Sequence, residues 1–355
     1  MNPEQPISPF QLEHTPQVPE LLYKLQCSIV LSTFQAGKIV TLSPINEDRI
    51  TQLARNFNRP MGITFTDNYE KLAIACENEV IQLKNSEILA KNYPKKPNTY
   101  SNMYFPMSTN YTGKLDLHDL SYGTDNELYA INTLFSCIST FDNDYNFKSY
   151  WKPDFITELK PEDRCHLNGM AMKDGKPKYV TAFNTGNTAK SWQKDLTKTG
   201  VLIDVDTNEI ILSGLGMPHT PRFINGKLYL LLSATGQLVE VDIENKSYTE
   251  VINLNGFVRG MSFYKDYIFI GLSKLRQNSS SFAHLDVAKF SNYAGVAIVH
   301  LPTKSYQGLL KYKTSVDEIY DLEILPDFLR PNILNNFTET HRQAILADDS
   351  CYWIG

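Results

Sequence analysis

Cys165-His166-Leu167-Asn168-Gly169-Met170-Ala171-Met172 is an apolar run with His-x-Asn near its start, and it leads into the turn Asp174-Gly175. Counted from Asn168, Gly175 lies seven residues on. The same offset recurs along the chain. His219 stands seven residues before Gly226 of Asn225-Gly226, and His118 stands seven before Asp125 of Asp125-Asn126. Met61 stands seven before Asn68, and Arg259 seven before Asp266. Each piece reads as apolar strand, turn, second apolar strand. Asn-Gly or Asp-Gly between two β-type runs is the strongest short hairpin signal. The clearest full unit is Arg222-Phe223-Ile224, the turn Asn225-Gly226, then Lys227-Leu228-Tyr229-Leu230-Leu231-Leu232, followed by runs over 237–243 and 247–251.

A strand–hairpin unit repeated at one register is the mark of a repeat architecture. A sixth start, Tyr320-Asp321-Leu322-Glu323-Ile324, is followed by Pro326 to Pro331 instead of a hairpin. The N-terminal side offers the converse. Ser28 to Thr33, Lys38 to Leu42 and Arg49 to Leu53 are β-type runs with no inner strand before them. Joining the two ends completes a four-stranded sheet, and such closure removes the exposed edges of a ring. The expectation is an all-β protein, a six-bladed β-propeller over residues 28–331. Its last blade is closed by N-terminal strands plus a C-terminal inner strand. Residues 1–27 are an N-terminal arm and 332–355 a C-terminal tail. A two-sheet or two-domain β protein is the alternative, and it explains the shared offset poorly. Helical periodicity is scarce: Pro19 to Lys24 could form one turn, and 84–93 or 326–347 short helices. Residues 84–115 and 276–292 interrupt the repeat as polar insertions, of the kind that serves as a lid or a partner surface.

The chain has 355 residues, a net charge of −5 and a pI near 5.8. Its 20 Tyr and 18 Phe favour β structure. Lys95-Lys96 is too short a basic run for a nucleic-acid footprint, so that class is excluded. Cys27, Cys76, Cys137, Cys165 and Cys351 are odd in number and widely spaced, with no CxxC. That argues against a disulfide framework and a structural zinc site. The first residues lack a signal-peptide pattern, and no apolar run approaches the ~18 residues of a membrane helix. A soluble, cytoplasmic protein without a membrane partner is expected.

In a strand, residues two apart share a face. Inner strands of a propeller converge on its channel, so their aligned starts form a ring: Met61, His118, Asn168, His219, Arg259 and Tyr320. Two residues earlier stand Arg59, Asp116, His166, Met217, Phe257 and Glu318. Three of the seven histidines fall at these places. Neutral imidazole suits borderline metals. His118 and His219, with Asn168 as an oxygen donor, are therefore candidate ligands of a divalent metal. His118, His166, His219 and Arg259 are candidate catalytic groups, with His166 at the upper rim. Asp119 or Glu318 would fix an imidazole tautomer. Arg164, Arg222 and Arg259 would grip a carboxylate or phosphate in bidentate fashion. Asn168 and Tyr320 complete the ligand-binding set. Asn184 to Thr188 with Trp192, and Lys274 with Arg276, are rim positions. The plainer alternative is a channel of polar side chains and water. Cys165 faces away from its neighbour His166, so a Cys–His pair is disfavoured. Neither a GxSxG nor a phosphate-loop motif is present.

Four strings carry a family resemblance: Pro161 to Gly169, Gly216 to Arg222, Gly256 to Gly260, and Gly271 to Arg276. They resemble an uncharacterised family of bacterial predicted propeller proteins, a domain of unknown function, over roughly residues 28–331. That resemblance implies the fold and no activity. Asn168-Gly169-Met170-Ala171 is also similar to the Asn-Gly-x-x inner-strand motif of the calcium-dependent gluconolactonase and strictosidine-synthase-like six-bladed propellers, whose Asn binds the channel metal. The similarity implies a metal at Asn168. His118 and His219 stand where those propellers more often place Asn or Asp, which favours a borderline transition metal over oxygen-loving calcium. The expected function is an enzyme with a metal-assisted channel site for a small polar or peptide-like substrate, of hydrolase, lyase or isomerase type. The alternative is a non-catalytic propeller module that binds an anionic ligand or a protein or peptide partner.

Overall fold

The computed structural model describes residues 8–275, 282 and 284–354. Six antiparallel sheets form the blades, numbered here by the chain order of their inner strands. The inner strands are Ile63–Phe65, Leu117–Tyr122, Leu167–Lys173, Pro218–Ile224, Phe257–Tyr264 and Asp321–Pro326. Each touches the inner strand of the next blade, and the sixth touches the first, so the ring is closed. Blade 6 is the expected composite. Cys27–Thr33, Lys38–Pro44 and Ile50–Asn56 stack outward from the C-terminal inner strand, in the register Ser28 to Leu325 and Leu31 to Leu322.

The hydrophobic core is divided into layers, one at each junction between blades. The run Lys227–Leu232 shows why the middle strands are apolar on both faces. Leu228, Leu230 and Leu232 pack against blade 3, while Tyr229 and Leu231 pack against blade 5. A strand covered on both sides reads as a continuous apolar run. The hairpins follow from their turn residues. Asn225 and Gly226 have φ of 50° and 79°, and Asp174 and Gly175 have 52° and 73°. Two successive positive φ values are what a type I′ turn requires.

A second periodicity runs through the ring. The residue after each ring position is glycine in blades 1, 3 and 5 (Gly62, Gly169, Gly260) and polar in blades 2, 4 and 6 (Asp119, Thr220, Asp321). Each polar side chain crosses to the following glycine-bearing strand. Asp119 Oδ2 accepts from Met170 N at 2.9 Å, Thr220 Oγ1 from Gly260 N at 3.2 Å, and Asp321 Oδ2 from Ile63 N at 3.1 Å. The glycines permit close backbone approach at the alternate junctions, where each meets the next polar-bearing strand. A Cβ on Gly169 would lie 2.6 Å from Pro221 Cδ and 2.9 Å from Thr220 N. The sixfold ring is thus tied together by a threefold set of strand-to-strand bonds.

Both ends of the chain clasp the closing blade. Leu12–His14 adds to the outer strand of blade 5, with Glu13 opposite Lys311. Helix α1 (Gln17–Leu25) then buries Val18, Leu22 and Leu25 in the layer between blades 5 and 6. After the inner strand of blade 6, Pro331–Ile333 pairs parallel to the outer strand of blade 1, Asn102–Tyr111. Part of the polar insertion 84–115 is therefore regular structure: helix α2 (Glu87–Lys91), then this strand. Region 326–347 holds a 3-10 turn (Glu339–Gln343) and short strands in place of an α-helix. The hairpin of Ala344–Leu346 and Cys351–Trp353 covers α2. Of the insertion 276–292, residues 276–281 and 283, including Arg276, lie outside the described residues; Asp286–Lys289 is a 3-10 turn. No described helix is long and apolar enough to cross a membrane.

Candidate functional site at the channel mouth

The lead-in to the ring has a repeated backbone shape. Arg59, Asp116, His166 and Met217 precede the ring positions of blades 1–4 by two residues, and their φ values are 46°, 57°, 51° and 50°. A non-glycine residue rarely occupies this left-handed region, and four at one structural position mark a designed turn. The turn aims the carbonyls of Asp116 and Met217 at the imidazoles two residues on, with His118 Nδ1 at 3.1 Å and His219 Nδ1 at 3.2 Å.

The partners of these histidines assign their tautomers. His118 Nδ1 is 2.8 Å from Thr133 Oγ1, whose hydroxyl donates to Leu167 O at 2.5 Å. That hydroxyl must accept from the imidazole, so Nδ1 carries the proton. In blade 4 the same set recurs: His219 Nδ1 is 2.9 Å from Ser233 Oγ, which donates to Val258 O at 2.6 Å. Burial holds both imidazoles well below the usual histidine range. Next in weight for His118 come His166 and Arg259; for His219 they are Arg259, His118 and His166. Both rings are neutral at pH 7, with Nε2 unprotonated.

His166 has a different support. Its Nδ1 lies 3.1 Å from each carboxylate oxygen of Asp163, and Trp192 Nε1 donates to Asp163 Oδ2 at 2.9 Å. The ring packs against both Phe183 and Trp192, at centroid distances of 4.5 and 4.3 Å, and those two touch each other. It meets His118 edge-on at 4.8 Å, and Phe183 meets His219 at 5.1 Å. No Nε2 of the three histidines hydrogen-bonds to a described residue.

His166 and His219 open onto a cavity of about 230 Å³ at the ring end of the channel. Phe183, Met217, Phe257, Leu275 and Phe282 supply its apolar wall. Arg259 faces them, stacked 3.5 Å above the Tyr320 ring and paired with Glu318 at 2.9 Å. Lys274, also on the wall, lies 3.7 Å from Asp317. The mouth thus combines apolar surface, paired charges and imidazole acceptors.

The other expected site residues lie elsewhere. His118 stands behind His166. Asn168 is 4% exposed; its Oδ1 accepts from Thr181 Oγ1 at 2.6 Å, and its Nδ2 has no partner among the described residues. Tyr320 is 5% exposed, its hydroxyl likewise unpartnered and its pKa pushed up by burial. Arg164 is held by Glu162, Asn187 and Glu158, at 2.8, 2.8 and 3.2 Å. Arg222 grips Asp119 through two bonds of 2.9 Å and Met170 O at 2.8 Å. Both arginines brace the fold and neither lines the mouth. Asp119 and Glu318 pair with arginines rather than histidines. Asn187 and Asn184 brace the loop behind the site.

Two of the three expected metal donors, His118 and Asn168, do not line the cavity. Among the described residues no three His, Cys, Asp or Glu side chains are grouped to hold a metal ion. The oxygen of Asn168 already accepts a hydrogen bond. Sequence reasoning missed the roles of Asp163 and Phe183; it named Trp192 as a rim position and Phe257 beside the ring without placing either against its partners here. A usable signal existed in the hydroxyls at second-strand ends, Thr133, Ser233 and Ser273, each of which bonds a carbonyl just before the next ring position.

A family model described as a domain of unknown function (DUF4915) matches residues 16–334. No curated protein sequence matches the chain. Among solved structures, a protein of unknown function from Bacteroides caccae is similar with a TM-score of 0.53 at 8% identity, covering 84% of this chain and 98% of that one. A chain of a nidogen/laminin complex is similar with a TM-score of 0.51 at 10% identity, covering 85% of this chain and 99% of that one. At such identities the likeness is one of fold.

Proposed function

The chain belongs to the DUF4915 family, a domain of unknown function, and we propose from the site alone that the channel mouth binds a small polar molecule and transfers a proton on it. His166 is the acid–base group and Arg259 the charged contact. The observation that carries this reading is the Asp163–His166 pair, which fixes one ring nitrogen and leaves Nε2 at the wall of a 230 Å³ cavity. A carboxylate on Nδ1 holds the tautomer and stabilises the imidazolium that forms when Nε2 takes a proton. Neutral His219 adds a second acceptor for a ligand N–H or O–H. The aromatic wall grips the carbon body, and the Arg259–Glu318 pair meets polar substituents. Hydrolase, lyase and isomerase chemistry all use such a group. This reading needs only the protein's own groups, with His166 moving the proton.

One observation favours binding without chemistry. His118 and His219 make the same contacts in two blades, as a structural repeat element would. Screening small carboxylates, amides and amines by thermal shift, then following each hit by proton NMR, separates the readings. For a turned-over hit, His166→Ala is expected to lower turnover about 10²–10⁴-fold while leaving binding largely intact. Unchanged turnover in that variant would overturn the acid–base role. Hits that bind equally well to His166→Ala, His219→Ala and Arg259→Ala would overturn the site itself.

A further inference from the structure

A second cavity, of about 210 Å³, lies on the outer wall where three distant segments meet. Arg55 comes from the outer strand of blade 6, Tyr93 and Lys95 from the loop after α2, and Asn335, Thr338 and Thr340 from the C-terminal segment. No carboxylate of the described residues lines it. Arg55 and Lys95 form no ion pair with any described residue, whereas Arg164, Arg222 and Arg259 all do. Two uncompensated cations in one concavity stand out in a chain whose net charge is −5.

The hydrogen bonds make the pocket one-sided. Arg55 Nε and Nη2 donate to Asn332 Oδ1 at 3.1 and 2.8 Å, which leaves Nη1 without a partner. Lys95 Nζ donates to Thr340 Oγ1 at 2.8 Å and keeps two N–H groups, while the Thr340 hydroxyl keeps its own proton. The amide oxygens around the pocket are already acceptors: Asn56 Oδ1 for Lys38, Asn332 Oδ1 for Arg55, and Asn335 Oδ1 for Phe337 N. What remains is a set of donors.

We propose that this pocket binds a tetrahedral oxyanion, as inorganic phosphate or as the phosphate of a phosphomonoester. Arg55 Nη1 and Lys95 Nζ supply the charge, and the Thr340 and Tyr93 hydroxyls supply further donors. A cation pair without carboxylates, surrounded by donors, matches an ion with several strong acceptor oxygens. Arginine held at a fixed angle by Asn332 offers directional recognition, and lysine adds a point charge. The site is remote from the histidine mouth and does not depend on its chemistry.

Titration of the full chain with inorganic phosphate, followed by ³¹P NMR and calorimetry at matched ionic strength, tests this. Saturable one-to-one binding is expected, with sulfate competing. Lys95→Gln, at an exposed residue, is expected to weaken it about tenfold or more, and Arg55→Gln similarly. Lys96→Gln and His166→Ala should leave it unchanged. A parallel titration with phosphoserine distinguishes the sources: tighter binding than phosphate marks a phosphomonoester site, equal or weaker binding a free-phosphate site. Absence of saturation, or equal affinity in Lys95→Gln and the unaltered chain, would overturn the proposal.

Discussion

The channel below the histidines shows how burial bends the charge of single residues. Asp119 and Arg222 satisfy each other. Asp321 and Glu323 share the same surroundings without a cation of their own. Burial, then the negative Asp119, pushes Asp321 well above the carboxylate range. Burial pushes Glu323 up to about 7, although Arg222 opposes it and Ser262 donates to its Oε2 at 2.8 Å. An unfolded glutamate titrates near ~4.3. Between that value and about 7 the folded chain keeps a proton that the unfolded chain has released. The contribution to stability is therefore full below the unfolded pKa and lost as pH rises through the folded one. Glu323→Gln keeps an acceptor for Ser262 and removes the charge. Its unfolding free energy in urea should match the parent near pH 4 and exceed it at pH 8, by on the order of 3 kcal/mol. Coincident midpoints at pH 8 would show that Glu323 carries no such strain. His118 and His219 act in the opposite sense. Their pKa values are depressed, so stability is full above the unfolded histidine value and falls as pH drops through the folded values.

At the scale of the strand, the inner strands are set by close approach as much as by apolar pattern. Gly169 follows Asn168 where the blade 4 backbone comes nearest, and a Cβ there would meet Thr220 N at 2.9 Å. Backbone cannot yield as a flexible side chain does, so Gly169→Ala should cost roughly 1–3 kcal/mol or more in thermal unfolding. Gly226→Asn is the contrast. Its site has open space and a φ of 79°, which asparagine tolerates, so about 1 kcal/mol or less is expected. A loss at Gly169→Ala no larger than that at Gly226→Asn would show that the blade 4 backbone yields to the added methyl. The hairpins could be read from the sequence because a type I′ turn is chosen by two adjacent residues, as at Asn225-Gly226. The ring followed from them by counting. The partners could not be read. Asp119 and Arg222 are 103 residues apart, and only the curvature of the ring brings them together. Asp163 and His166 are near in sequence, yet they meet through a left-handed turn at His166 that no local propensity announces. That turn puts His166 in the wall of the mouth and leaves Asn168, two residues further along the strand, buried.

The whole molecule depends on a blade assembled from both ends of the chain. Leu322, Ile324 and Leu325 of the C-terminal inner strand are buried between blades 5 and 6 or between 6 and 1. Removing that strand would expose the edge of Cys27–Thr33 and open two core layers together. The end segments differ in weight. The arm over 12–25 seals the junction of blades 5 and 6, whereas the final hairpin packs on α2 and the outer strand of blade 1, away from the channel. A chain ending at residue 316 should therefore lose cooperative unfolding by circular dichroism. A chain ending at residue 334 keeps Pro331–Ile333 in its parallel pairing and should still melt in one transition, at a lower temperature. The shorter tail also removes Asn335, Thr338 and Thr340, so that variant should lose the phosphate response while keeping the mouth intact. Loss of the melting transition in both truncations would instead make the clasp over blade 1 part of the closure itself.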